Sequence, residues 1–434
     1  MLSSADRALA ERDPEMPGLS VVLDPDAVTA LAAGTDGPRV VGARPTYVRY
    51  KPATSCVVGY ELFTVDGPVL VYAKAYAPGA AAKLVKATEK EVRDERWGTG
   101  VVPSDEHGVL LAAAASDRDL PALKVLSDST QRERLMSRLL PDDPDLWHQE
   151  ARAIRHKPER RWVGLVERDR RPVALIKAYR AADLRRSRAG HRQLATAAVR
   201  PLGWSRRRAA LALSWVEGTS LAELLFSDIA EDHGAETAAV GSALAALHAT
   251  SPDGELDGNG WRSVAATLGP AAETVGNLLP YLDARARRLA TAVASELVIA
   301  TADRCVVHGD FSADQVVIAG EAVHLIDFDQ AQVADPAADV ASFNAGLIRA
   351  EIEGQLRRGR AAELSACLLD EHQRCGGPSI RQRLIAHQAG ALLRLAVAPF
   401  RERHPDWPDL CEALIGEAER SLSPVPAVGG RRWH

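Results

Sequence analysis

The chain has 434 residues, 46% hydrophobic and 26% charged, with a formal net charge of −5 and a pI near 6.2. That length suits two or three domains, or one bilobal fold with an added module. The mild acidity makes no global case for nucleic acid or a membrane surface. No apolar run reaches the roughly eighteen residues that span a bilayer. Five cysteines without a C-x-x-C pair argue against a disulfide framework. The start, M-L-S-S-A-D-R-A-L-A-E-R-D, lacks the apolar core of a signal peptide, so a cytoplasmic, reduced protein is expected.

In chain order, residues 1–40 read as an amino-terminal extension, and an internal repeat follows. Val48-Arg49-Tyr50-Lys51-Pro52 recurs as Ile154-Arg155-His156-Lys157-Pro158. The stretch 55–64 is echoed by 161–168, and Leu70-Val71-Tyr72-Ala73-Lys74-Ala75-Tyr76 by Ala174-Leu175-Ile176-Lys177-Ala178-Tyr179. Each copy alternates apolar and polar residues at strand period between turn residues, which predicts a small three-stranded antiparallel sheet. An Ala-rich helical stretch follows each, at 80–92 and 181–198. Residues 41–145 are thus expected to form a first module and 146–218 a second, ending in an apolar strand at 209–215. From 219 to 434 the pattern is mostly helical, with helices expected at 221–226, 238–248 and 277–300. Asp335-Pro336 starts another, as an Asp cap with Pro at the first helical position. Strands at 305–307 and 323–326 interrupt the helices. The class is α+β.

The stretch 307–329 is the most informative: V-H-G-D-F-S-A-D-Q-V-V-I-A-G-E-A-V-H-L-I-D-F-D. One short apolar strand delivers His308-Gly309-Asp310, Gln315 lies five residues on, and a second strand ends in Asp327-Phe328-Asp329. The spacing brings a carboxylate, a carboxamide and a second carboxylate to neighbouring loop ends. Phosphoryl transfer needs that set, namely a base for the attacking hydroxyl and hard oxygen ligands for Mg²⁺ on nucleotide phosphates. The other reading is a pair of surface turns that carry Asp.

These residues resemble the catalytic and metal-binding loops of the aminoglycoside phosphotransferase-like kinases, H-G-D-x-x-x-x-N followed by I-D-F/W. Trp215-Val216-Glu217-Gly218 resembles their hinge. The resemblance is good over about 150–400 and loose over 40–145, where the extra copy is similar to the cap of maltokinase-like members, which also carry Gln at the place of Gln315. It implies a bilobal protein-kinase-like fold with a small antiparallel-sheet N-lobe, a helical C-lobe and an added amino-terminal module. It also implies ATP or GTP, Mg²⁺, and a small-molecule hydroxyl acceptor such as a sugar, aminosugar or aminoglycoside-like antibiotic. Asp310 becomes the catalytic base. His308 buttresses its loop or joins the chemistry. Gln315 and Asp327 hold metal, while Asp329 serves a second metal or faces the substrate. Asp339 is expected to hold the catalytic loop, and Glu217 to lie at the nucleotide.

A sheet lysine should reach the phosphates, and the repeat supplies two, Lys177 and Lys74. Lys177 is preferred because its module runs straight into the hinge. The helix after it offers no glutamate to pair with it, whereas Glu89 and Glu91 follow Lys74. That departure leaves open a nucleotide-binding pseudokinase or scaffold, and a peptide or protein kinase of a biosynthetic pathway is a further alternative. Residues 151–210 hold 18 Lys/Arg against four Asp/Glu, as a solvated basic face or as a roof over an anionic ligand. Without interleaved aromatics that stripe does not suggest nucleic acid. An acidic cluster (Glu223, Asp228, Glu231, Asp232, Glu236) and the amphipathic stretch 386–404 with Arg394, Phe400 and Arg401 are candidate acceptor contacts. The oligomeric state has no signature.

Overall fold

The computed structural model describes residues 2–34, 38–78, 86, 88–89, 91–94, 96–227, 232–257, 264–299 and 304–422. Two compact units emerge. The first holds residues 1–217, Ile326–Gln330 and Pro399–Trp407, and the second holds the remainder.

The first unit opens with three short helices, α1 (Ser4–Glu11), α2 (Leu19–Leu23) and α3 (Pro25–Ala33). Ser3 caps α1 and Asp24 caps α3, each side chain accepting a hydrogen bond from a first-turn amide. Leu19, Val22 and Leu23 are fully buried, and the Tyr60 hydroxyl donates to the Val22 carbonyl at 2.8 Å, which fixes α2 on the first sheet. That sheet contains β1 (Val40–Lys51), β2 (Ser55–Thr64), β3 (Gly67–Tyr76), β4 (Val101–Ser104) and β5 (Val109–Ala113), ordered β1-β2-β3-β5-β4 and antiparallel throughout.

Helices α4 (Leu123–Ser127) and α5 (Ser129–Leu139) follow. The second sheet comprises β6 (Arg152–Lys157), β7 (Arg161–Arg168), β8 (Arg171–Tyr179), β9 (Pro201–Ser205) and β10 (Ala210–Ser214), with α6 (Leu184–Gln193) between β8 and β9. Its order, β6-β7-β8-β10-β9, repeats the first. Each copy therefore has five strands rather than the three expected. In the second copy β10 is the apolar strand expected at 209–215; β4, β5 and β9 are only four or five residues long, too short for an alternating pattern to stand out. The helical stretch expected at 80–92 lies largely outside the described residues. The one expected at 181–198 is the shorter α6.

Residues 120–145, expected to belong with the first sheet, pack on the second. Leu123, Leu135, Met136 and Leu139 share a buried cluster with Trp162, Val166, Ile176 and Ala212. The opposite face of the same sheet buries Tyr179, Leu184 and Leu211, so α6 covers it. Burying each large side chain there is worth about 1.5–3 kcal/mol.

The second unit begins at Gly218, whose φ is 139° and where an added Cβ would come within 2.4 Å of the Ile318 carbonyl oxygen. Its elements are β11 (Thr219–Ser220), α7 (Leu221–Ser227), α8 (Gly234–His248), α9 (Gly254–Asp257), α10 (Val264–Leu278) and α11 (Asp283–Ile299). After these come β12 (Cys305–Val307), β13 (Val316–Ala319), β14 (Ala322–Leu325) and β15 (Gln332–Ala334). Helices α12 (Ala337–Ile352), α13 (Arg360–Arg374) and α14 (Arg381–Leu395) follow. A one-turn helix, α15 (Ala398–Arg401), precedes the final α16 (Trp407–Leu422). The single helix expected at 277–300 is in fact α10 and α11 with a turn at Pro280–Leu282. Proline lacks the amide a continuing helix needs. Among the described residues no helix is long and apolar enough to cross a membrane.

Candidate active site

Strand β12 pairs antiparallel with β15, and β13 with β14, so each polar turn leaves the end of a short paired strand. After β12 the chain turns at Gly309, with φ +83°, a conformation that costs glycine nothing. Asp339 then sets the loop. Its carboxylate, on the first turn of α12, accepts the His308 amide at 2.7 Å and the Gly309 amide at 2.9 Å. His248 Nε2, from α8, lies 3.2 Å from the same carboxylate. Burial alone would raise the Asp339 pKa, but the His248 hydrogen bond, the nearby imidazoles and the Gly309 amide bring it below the usual carboxylate range.

The fixed loop buries His308 and leaves Asp310 exposed. The His308 ring packs 5.5 Å from Phe311, which stacks on Phe343 at 5.5 Å. Arg394, on α14, feels the Asp310 charge. Burial pushes the guanidinium pKa down and Asp310 opposes that shift. Gln315 closes a single 3₁₀ turn and is half-buried.

The second turn belongs to the first unit. Asp327 has φ +64°, a left-handed conformation that non-glycine residues adopt at a cost and that clusters at functional sites. Lys177 Nζ, on β8, lies 2.6 Å from Asp327 Oδ1 and 3.4 Å from Asp329 Oδ1. Arg161, on β7, reaches Asp327 at 3.4 Å and ion-pairs closely with Asp329. The Tyr179 hydroxyl donates to Asp329 Oδ1 at 2.8 Å, and His191 Nε2, on α6, lies 3.0 Å from it. Burial would raise the Asp329 pKa, yet Lys177, the His191 hydrogen bond and Arg161 hold it well below the carboxylate range. Burial in turn lowers the His191 pKa, against the pull of Asp329. The side chain of Asp327 is 19% exposed and that of Asp329 only 4%.

The sequence had no means of pointing to Arg161, Tyr179 or His191. Only their shared partner, the D-F-D turn, was visible. Lys74 sits on β3 where Lys177 sits on β8, since the two pair across to Val57 and Leu110, and to Val163 and Leu211, respectively. Lys74 nevertheless binds Glu159, in the β6–β7 turn, at 2.5 Å, and Arg49 binds the same carboxylate. Asp117 accepts the Glu159 amide at 2.7 Å and lies 3.2 Å from His156 Nε2, which fastens that turn from the other side. Neither Glu89 nor Glu91 is the partner of Lys74 in these ion pairs, and both are exposed.

Glu217 is exposed just beyond β10. In the basic stretch, Arg168 is tied to Asp143 and Asp145, Arg152 to Glu167, and Arg188 lies over the Trp204 ring at 4.3 Å. Of the acidic cluster, Asp228 and Glu231 lie outside the described residues, while Asp232 pairs with Arg360 at 2.6 Å. Phe400 is buried against Trp407 with ring centroids 5.0 Å apart.

The sequence model of a family described as "APH: Phosphotransferase enzyme family" matches residues 150–376, just over half of the chain. None of the curated proteins matches. Among solved structures, the chain is similar to a choline/ethanolamine kinase family protein from Mesorhizobium loti (16% identity, TM-score 0.44, 61% of this chain and 85% of that one). It is also similar to an ethanolamine kinase of Plasmodium vivax (12%, 0.48, 66% and 87%). A third is APH(2")-IIa in a ternary complex with streptomycin and ATP (12%, 0.46, 68% and 96%). The family match begins after the amino-terminal module, so the maltokinase likeness rests on the sequence pattern and Gln315 alone.

Proposed function

Because the chain belongs to the phosphotransferase enzyme family and so transfers phosphate to a hydroxyl acceptor, we propose that its donor is ATP or GTP with Mg²⁺. Its acceptor is a small hydroxylated molecule, such as a sugar, an aminosugar or an aminoglycoside-like antibiotic. The observation that carries this reading is the Lys177–Asp327 pair at 2.6 Å. A phosphate-clamping cation and a hard-oxygen carboxylate on a strained turn are the parts phosphoryl transfer uses.

Asp310 accepts the hydrogen bond of the acceptor hydroxyl and orients it for attack, helped by a loop whose amides are pinned to Asp339. His308 acts through its position in that loop. Asp327 and the carboxamide oxygen of Gln315 are the donors that would hold Mg²⁺. The Asp327 carboxylate fits such an ion, being a hard oxygen donor that is partly open. When bound, the ion neutralises charge on the phosphate oxygens. Lys177 supports the phosphates beside it, and Glu217 lies at the nucleotide.

The test is phosphoryl transfer from Mg²⁺–ATP and Mg²⁺–GTP to a panel of sugars, aminosugars and aminoglycosides. Asp310→Ala should lower kcat by about a thousandfold or more while nucleotide still binds. Unchanged transfer in that variant overturns the assignment. A second reading, a nucleotide-binding scaffold, is favoured by the absence of a glutamate on α6. Mg²⁺-independent nucleotide binding without turnover would support it.

A further inference from the structure

Lys177 is 4% exposed, and a buried ammonium requires a counter-charge. Helix α6, which follows its strand, has the sequence L-R-R-S-R-A-G-H-R-Q and offers no carboxylate. Asp327 can supply the charge only part of the time if it also serves a metal. Asp329 is held entirely by protein groups. One of its oxygens is shared by Tyr179, His191 and Lys177, at 2.8, 3.0 and 3.4 Å, and the other is taken by Arg161. Both oxygens are occupied by protein, and the side chain is almost wholly enclosed.

We infer that Asp329 is the standing counter-ion of Lys177, and that His191 couples this carboxylate to α6. The helix thus positions the lysine through an imidazole and the second aspartate of the D-F-D turn, instead of through a carboxylate of its own. On this reading Asp329 is a positioning residue rather than a metal ligand. Two residues apart on one turn, the carboxylates divide the work. Asp327 is partly open and Asp329 is closed. Tyr179 and His191 hold the Asp329 oxygen that faces Lys177, so its orientation does not depend on Asp327. The inference rests on the phosphotransferase reading of the same site.

A double-mutant cycle tests it, with kcat and KM for ATP followed alongside ADP affinity by calorimetry, with and without Mg²⁺. Asp329→Asn should lower kcat by about tenfold or more alone, and by less than about threefold in a Lys177→Ala background, because the two act as one unit. Adding His191→Glu to Asp329→Asn returns a carboxylate to the cluster from α6 and should recover kcat by about fivefold. His191→Leu should lower kcat several-fold, with His191→Gln retaining most of it. Multiplicative losses in the cycle overturn the inference. So does a tenfold weaker Mg²⁺ dependence of ADP affinity on adding Asp329→Asn to Lys177→Ala, since that would make Asp329 a metal ligand. Should Asp329→Asn fail to fold, the His191→Leu and Lys177→Ala cycle decides by the same criterion. A wild-type protein that binds no nucleotide takes down the functional reading and this inference together. An active wild type with an additive cycle takes down the inference alone.

Discussion

Asp339 shows how much a single buried carboxylate can organise. Two amides and an imidazole converge on it, and Asp310 emerges from the loop they fix. Asp339→Asn turns one acceptor oxygen into a donor among donors. The variant should lose about 3 kcal/mol of unfolding free energy, measured by urea denaturation, and kcat should fall with it because Asp310 is no longer held. Its pKa is depressed in the native state, so its stabilisation is present above the usual carboxylate range and lost as pH falls through the native value. At this scale the sequence was legible where residues are contiguous: the turns that carry His308, Gly309, Asp310 and Asp327 stand at the ends of strands the pattern already showed. Arg161 and His191 did not, because they meet Asp329 from 168 and 138 residues away. Their one-letter surroundings are an ordinary basic strand and an ordinary basic helix.

Among elements, the repeat was readable from its strand period, and the two sheets share one strand order. The short outer strands and the break at Pro280 were not, since four residues carry too little pattern and a helix-period stretch hides a proline turn. The repeat makes the two lysines rivals, and their partners separate them. Lys177→Ala should raise the nucleotide KM and lower kcat together, by about tenfold or more in kcat/KM, since a phosphate-clamping charge acts in both ground and transition states. Lys74→Ala should change kcat/KM by less than about threefold. Its cost falls on the Lys74–Glu159 pair, which is partly exposed and worth at most about 1 kcal/mol, read as a shift in urea midpoint. The reverse ranking would make the first copy the working sheet.

For the molecule as a whole, acid sensitivity is the informative property. His372 Nε2 lies 3.0 Å from His248 Nδ1, behind Asp339. A Cβ on Gly377 would come within 2.3 Å of the His372 ring, so the site is closed. Burial, and then the neighbouring His248, lowers the His372 pKa from 6.5 to about 4. Between those values the unfolded chain takes up the proton and the native one does not. Stability should therefore fall as pH drops from 6.5 to 4 and gain no further loss from this group below that. His372→Gln should be less stable near neutrality by about 1 kcal/mol, for the weakened bond to His248. Its urea midpoint should also decline less on acidification than the wild-type midpoint. Equal slopes would show that His372 titrates alike in both states. None of this was visible in composition, which fixed only the broad class, because three residues spread over 248–372 meet only in the fold.

The shared strand order of the two sheets also bears on how such chains are counted. Duplication copies a strand and its lysine together, but it does not copy the company the lysine keeps. Here one descendant faces Asp327 and Asp329, and the other faces Glu159, on a turn of its sibling sheet. Tallied by sheet lysines, the chain would own two phosphate sites. Tallied by the carboxylates opposite them, the two lysines part company, and the charge of Lys74 serves as mortar between the sheets.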